Sequence, residues 1–210
     1  MSASAQATLP PRHDAPPPLS ARLRMETRDM HDRIEANPRF CRLMAPDLSL
    51  AEYHALIVAL FGHHAGAEAA LAGAPGLPAV LGLSRRLTRT AALTADLRAL
   101  GLTEAAIARL PRCAAYLIDS PEAAWGALYV LEGSTLGGQL IARHLAATLG
   151  LGPETGAAGL VPHGAQTGAL WRQFRELMDE AAAMGEIDTD AVIAAARHAF
   201  ATLDEWVAQA

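Results

Sequence analysis

Gly133-Ser134-Thr135-Leu136-Gly137-Gly138-Gln139-Leu140-Ile141-Ala142-Arg143 decides how this chain is read. The residues on both sides carry helical periodicity. A glycine inside a helix costs roughly 1 kcal/mol against alanine. Gly126, Gly133 and Gly137 nevertheless stand seven and four residues apart. At about 3.6 residues per turn they fall on nearly one line along a helix. A strip without side chains lets a large flat body touch the backbone. The adjacent pair Gly137-Gly138 adds a natural place for a bend. Close helix–helix packing is the plainer reading of the strip, and these residues alone leave both open.

Outward from this segment the pattern is helical almost throughout. Ser120-Pro121 is a strong start signal, Ser as cap and Pro at the first helical position, for a helix over 120–149. Upstream, a first helix is expected over 20–36, stopping before Asn37-Pro38. Its inward line is Leu23, Thr27, Met30 with His31, and Ile34. A second helix opens with the capping-box spacing Ser49-Leu50-Ala51-Glu52 and ends at Gly73-Ala74-Pro75-Gly76. A third spans 84–100, with Gly101 as its stop, and Thr103 caps a short one to 110. A Gly/Pro loop fills 150–168, and two helices follow over 169–184 and 190–208. No stretch alternates at period two, so no sheet is expected. The fold class read here is all-α, one domain over 19–210. Residues 1–18, with Pro10, Pro11, Pro16, Pro17 and Pro18, are expected to form a disordered tail.

The chain has 210 residues, a net charge of -5 and a pI of about 5.9. That balance gives no electrostatic case for nucleic acid or an anionic membrane. All 17 basic residues are Arg. Cys41 and Cys113 stand alone, without metal-site spacing, which suits a reduced cytoplasmic setting. No secretory signal is visible. The longest apolar run, 123–131, is too short to cross a bilayer.

His31 lies on the apolar line of the first helix, with Glu35 four residues on and able to reach a ring nitrogen. One nitrogen can then bind a metal while the other is oriented. The bland alternative is a buried His satisfied by its neighbour. Read together, the inward His and the bare backbone are what a haem sandwich requires: an axial imidazole on one helix, close backbone on another. Arg24, two turns before His31, is placed to meet a propionate. No His has Glu three residues before it, which argues against a carboxylate-bridged di-iron site. His63 and His64 point in different directions, while His54, His144, His163 and His198 read as surface or loop residues. Arg85, Arg86 and Arg89 read either as a solvated helix face or as a docking surface for an acidic electron carrier. Asp188 and Asp190 start the last helix rather than bind a metal.

The segment from Leu23 through Thr27, His31 and Glu35 resembles the proximal helix of the haem oxygenases. Trp125-Gly126-Ala127-Leu128-Tyr129-Val130-Leu131-Glu132-Gly133-Ser134-Thr135-Leu136-Gly137-Gly138 resembles their distal helix. The likeness runs from about residue 20 to the C-terminus and is greatest to the bacterial branch that supplies biliverdin to phytochromes. It implies an all-helical fold holding haem, as substrate and cofactor, between the two helices. It further implies O2 and an external electron donor, with biliverdin, CO and ferrous iron as products. By position it makes His31 the proximal ligand and Glu35 its partner. Arg24 and Thr27 fall at the haem edge, Gly126, Gly133, Gly137 and Gly138 on the distal backbone, and Arg172 near a propionate contact. Ser134 stands where many members carry an Asp that orders distal waters, so a hydroxyl must serve proton delivery here.

The expected partners are haem, a ferredoxin, flavodoxin or reductase as donor, and a bacterial phytochrome as recipient of biliverdin. A non-catalytic haem carrier on the same fold, a thiaminase-like helical enzyme and a purely structural bundle are the competing readings. Cys41 and Cys113 have no obvious base beside them, which counts against the thiaminase-like reading.

Overall fold

The computed structural model describes residues 16–74, 77 and 79–209. Residues 1–15 of the expected tail, and Pro75 and Gly76, lie outside the described residues. The helices are α1 (Leu19–Glu26), α2 (Arg28–Glu35), α3 (Pro38–Arg42), α4 (Leu50–Ala72), α5 (Leu83–Arg86), α6 (Arg89–Ala99), α7 (Glu104–Ala108), α8 (Pro121–Thr148), α9 (Thr167–Ala183) and α10 (Thr189–Gln209). No strand occurs among the described residues, so the all-α expectation holds.

Start signals in the sequence act as caps. Ser49 Oγ accepts from Glu52 N, and the Glu52 carboxylate returns to Ser49 N at 2.9 Å, closing the capping box of α4. Ser120 Oγ accepts from Ala123 N at 3.1 Å and opens α8. Thr103 caps α7 in the same way. Asp188 accepts from Asp190 N and Ala191 N at the start of α10, as expected of a helix opener.

Two boundaries differ from the sequence reading. The first helix is broken into α1 and α2 at Thr27, whose φ is -113° and whose hydroxyl donates to Leu23 O at 2.7 Å. A β-branched hydroxyl residue that bonds its own preceding turn competes with helix continuation. The third helix is likewise two, α5 and α6, parted at Leu87-Thr88. In contrast, α8 runs unbroken through Gly137-Gly138, where a bend was expected.

The core forms around α4, α8 and α10. Leu56, Ile57, Leu60 and Phe61 of α4 pack with Leu93 and Leu97 of α6, and with Leu203 and Val207 of α10. Trp125 and Leu128 of α8 pack with Phe174 and Met178 of α9, and with Val192 and Ala196 of α10. Among the described residues, α4 is the one helix long and apolar enough to cross a membrane, a length the apolar-run count missed. Its buried Leu56, Ile57, Ala67 and Leu71 make it a core helix.

The α8–α10 contact is the most extensive in the molecule. Gly126 permits it. A Cβ there would lie 2.6 Å from Ala195 Cβ and Ala196 N, and 2.7 Å from Val192 O. Thus the N-terminal end of the glycine strip is covered by α10 and is a packing position, not part of a ligand surface. Gly138 is also a packing position: it is buried, and a Cβ would run into the Leu160 carbonyl.

Gly126→Ala is expected to destabilise the fold by about 2 kcal/mol, because overpacking outweighs the helix-propensity gain. Urea denaturation measures this; an unchanged midpoint would contradict the packing account. A second expectation concerns pH. Burial holds His63 far below its ordinary 6.5, at about 3, and pushes His64 well below it too. Between 6.5 and 4.5, above the ordinary glutamate value, the unfolded chain binds protons that these two folded imidazoles do not. The thermal midpoint should therefore fall as pH falls through that window, and His63→Gln should flatten the slope.

Candidate active site

α10 is the floor of the site. α2 and α8 both pack on it and make little contact with one another, so the interval between them is the candidate cleft. α2 is pinned to the floor by charged groups two residues to either side of His31. Asp29 accepts from Arg197 at 2.8 and 2.7 Å, and Asp204 accepts from Arg33 at 2.7 Å and from Asn37 at 2.8 Å. His31 itself stays free of these ties. Its side chain is 58% exposed, where an inward, buried imidazole was expected. The ring meets Phe200 of α10 edge-on, with centroids 6.3 Å apart. Nδ1 lies 3.6 Å from Glu35 Oε1, too long for a hydrogen bond. Nε2 makes no hydrogen bond among the described residues.

One turn before His31, the proximal segment meets α8 through Tyr129. Burial raises the Tyr129 phenol, while a hydrogen bond with Thr27 and the charges of Arg24 and Arg175 pull it back. Thr27 is buried, so it joins the two walls and does not line the cleft. Arg24 is exposed beside it and forms no ion pair among the described residues. Trp171 of α9 lies 5.5 Å from Tyr129 and stacks on Phe174, and the Arg175 guanidinium sits 5.7 Å from the Trp171 ring centroid. Arg172 is exposed on the same helix, but the cation that reaches this edge is Arg175. The sequence did not single out Arg175 or Tyr129. The four-residue step from Trp171 to Arg175 is the signal that could have found the former.

Beyond Tyr129, α8 presents its bare stretch. A Cβ on Gly133 would be 3.5 Å from the Trp171 indole, and one on Gly137 would meet nothing within 4 Å. Leu136 and Leu140, 43% and 56% exposed, flank this backbone. Ser134 stands exposed between the two glycines. Its hydroxyl donates to Leu131 O at 2.7 Å and accepts from Arg89 Nη1 at 2.7 Å, leaving one lone pair unused.

Behind α8 lies a buried polar cluster that the sequence reading did not assemble. Arg86 and Arg89 are 4% and 9% exposed, so they form neither a solvated face nor a docking surface; of that trio only Arg85 is exposed. Arg86 Nη1 lies 3.0 Å from Glu132 Oε2. Glu68 accepts from Arg89 N and Thr90 N, which anchors the start of α6. His64 Nε2 is 3.3 Å from Arg89 Nη1. Burial lowers the Arg89 pKa to about 10, still high enough to keep the guanidinium charged at neutral pH. His63 is engaged elsewhere, 2.7 Å from the Tyr116 hydroxyl. Adjacent helix positions part by about 100°, so the pair His63-His64 serves two environments.

The family model described as Heme oxygenase matches residues 17–209. The chain belongs to the haem oxygenase family. It is therefore an enzyme that degrades haem, and the non-catalytic carrier is not the favoured reading. Solved structures with the same fold include three heme oxygenases. Heme oxygenase from Leptospira interrogans has a TM-score of 0.72 at 18% identity, over 92% of this chain and 100% of its own. The NO- and CO-bound heme oxygenase from Neisseria meningitidis has a TM-score of 0.69 at 26% identity, over 91% of each chain. Heme oxygenase-1 from Synechocystis, in complex with heme, has a TM-score of 0.71 at 17% identity, over 92% of each. No curated protein matches the chain.

The residues present suit haem. The walls of that interval carry an imidazole nitrogen without a partner among the described residues, open backbone at Gly137, exposed leucines beside it, and the exposed guanidiniums of Arg24 and Arg175, which form no ion pair among the described residues. Gly137→Ala separates ligand fit from stability. With open space at the Cβ, the haem-free protein should gain about 0.5–1 kcal/mol, while haem affinity measured by Soret titration should fall. Unchanged haem affinity would show that no ligand rests on Gly137.

Proposed function

We propose that this cleft is where haem is bound and oxidatively cleaved to biliverdin, CO and ferrous iron. The carrying observation is that His31 Nε2 and the open backbone at Gly137 belong to two helices held apart on one floor. Haem, as substrate, supplies the iron and the porphyrin carbon that is oxidised, and O2 and an external donor supply oxygen and electrons.

The remaining roles belong to the chain. His31 offers Nε2 as the iron ligand, and Glu35, 3.6 Å from Nδ1, keeps the opposite edge of the ring toward a negative charge. Arg24 and Arg175 offer forked donors to the propionates; Arg172 is the weaker candidate for that role. Gly133 and Gly137 let the distal helix approach without side chains, while Leu136 and Leu140 exclude water from the apolar edge. Ser134, its proton directed at Leu131 O, presents its free lone pair to a distal water. Arg89 holds that orientation from behind. A serine so held can order a water but carries no charge of its own. The proton source for the bound oxygen must lie in the water it orders and in the groups that position it.

Two free cysteines suit a cytoplasmic setting. A ferredoxin, flavodoxin or reductase is the proposed donor, and a bacterial phytochrome the proposed recipient of biliverdin. Residues 19–210 are proposed to act as one domain.

His31→Ala should abolish the imidazole-ligated haem spectrum and biliverdin formation, and added imidazole should restore part of the spectrum. Soret decay with a donor and O2, alongside trapped CO, measures the loss. Parent-like turnover in the variant would place the ligand elsewhere.

A further inference from the structure

His64 is 4% exposed, on α4, one turn before Glu68. The two side chains meet the same arginine. Glu68 accepts from Arg89 N at 2.8 Å and from Thr90 N at 3.2 Å, which fixes the first turn of α6. Burial lowers the Arg89 pKa, and the charge of Glu68, ahead of that of Glu132, opposes the fall. His64 meets the far end of the arginine, its Nε2 3.3 Å from Arg89 Nη1. The same Nη1 donates to Ser134 Oγ at 2.7 Å. α4 therefore holds Arg89 at both ends, by its backbone and by the nitrogen that reaches α8. The hydrogens of this chain have one arrangement. A guanidinium has donors and no acceptor. Nη1 carries two hydrogens, and one of them points at Ser134 Oγ. His64 Nε2 can only accept the other, so it is unprotonated and the ring proton sits on Nδ1. Burial, with the charges of Arg89 and His63, holds the imidazole well below its ordinary 6.5, so the ring is neutral near neutral pH, as that arrangement requires. Ser134 cannot return its own proton to Nη1 and gives it to Leu131 O at 2.7 Å.

We propose that His64 is a positioning residue for the distal hydroxyl: by accepting the second hydrogen of Arg89 Nη1 it turns the first onto Ser134 Oγ, and so fixes the lone pair that Ser134 presents to the cleft. The proposal rests on the reading of Ser134 given above and adds the group that orients it from two bonds away. Without that acceptor a buried N–H is left unpaired, and the guanidinium turns toward another acceptor at the expense of the Ser134 bond. His64 acts through Arg89 and supplies no proton itself. His63 cannot take its place, because its Nε2 is engaged with the Tyr116 hydroxyl at 2.7 Å.

The first test needs no haem and no variant of His64. Nitrogen NMR of the haem-free protein should show His64 with a protonated Nδ1 and an unprotonated, hydrogen-bonded Nε2. The Arg89 side-chain N–H resonance should exchange slowly with water and move in Ser134→Ala. A protonated Nε2 on His64 would overturn the proposal, since two donors cannot share one hydrogen bond. The second test is kinetic. His64→Leu removes the acceptor, and Soret decay should slow roughly tenfold at unchanged haem affinity. His64→Gln, which can bring a carbonyl oxygen to the place of Nε2, should recover most of that loss, a rescue that filling space alone does not give. In a Ser134→Ala background, His64→Leu should add no further loss. Parent-like decay in His64→Leu, a Gln variant no faster than the Leu variant, or multiplicative losses with Ser134→Ala would each overturn the proposal. A parent protein that does not degrade haem would instead overturn the functional reading beneath it, and the NMR result would still decide the hydrogen-bond chain.

Discussion

The close approach of α8 and α10 at Gly126 is the constraint on which the site depends. Two helix axes come near enough for backbone to touch Cβ only where one side chain is missing. Because α10 lies so close along α8, the same helix can also receive α2 on its neighbouring face. The Asp29–Arg197 and Arg33–Asp204 pairs then lock α2 in place. The exposed Asp29–Arg197 pair contributes little stability alone. The effect of the two pairs is orientational: they restrain the turn that carries His31 and leave its imidazole unencumbered. The placement of α2 and α8 relative to one another is thus set through a third helix, and not by contact between the two.

Two glycines of one strip do opposite physical work. Gly126 is filled from outside by α10, whereas Gly137 faces open space with exposed leucines around it. The same residue type serves packing at one end and leaves open backbone at the other. Ser134, between Gly133 and Gly137, connects that open face to a buried ionic cluster through a single guanidinium. Arg89 is consequently the contact between the solvent-poor interior behind α8 and the chemistry in front of it. Buried ion pairs seldom repay their desolvation as stability. Their retention here is better understood as a fixed dipole behind an otherwise neutral distal hydroxyl.

Helix starts were legible because caps are local: Ser49, Thr103, Ser120 and Asp188 each bond within their own turn. The two motifs that carry the family resemblance were also legible, since each is a short pattern within one stretch of sequence. The exposure of His31 was not, because periodicity reports a side of a helix and not what covers it. Tyr129, Arg175 and the Glu132–Arg86 pair escaped notice for a related reason. Each acquires its role from neighbours on other helices, and an isolated Tyr, Arg or Glu on a helix has many ordinary explanations. Arg86 and Arg89 misled, because two guanidiniums among polar neighbours look solvated until tertiary contacts bury them.

By itself, the order of residues determined that this chain is helical, where most helices begin, and that an imidazole and a bare backbone strip are its unusual possessions. Those properties follow from interactions within a turn or two. The tertiary structure alone decided which glycine is covered and which is open, which arginine stacks on Trp171, and which buried arginine pairs with Glu132. These depend on distances between residues far apart in the chain, and only the packing of α2, α8 and α10 sets those distances.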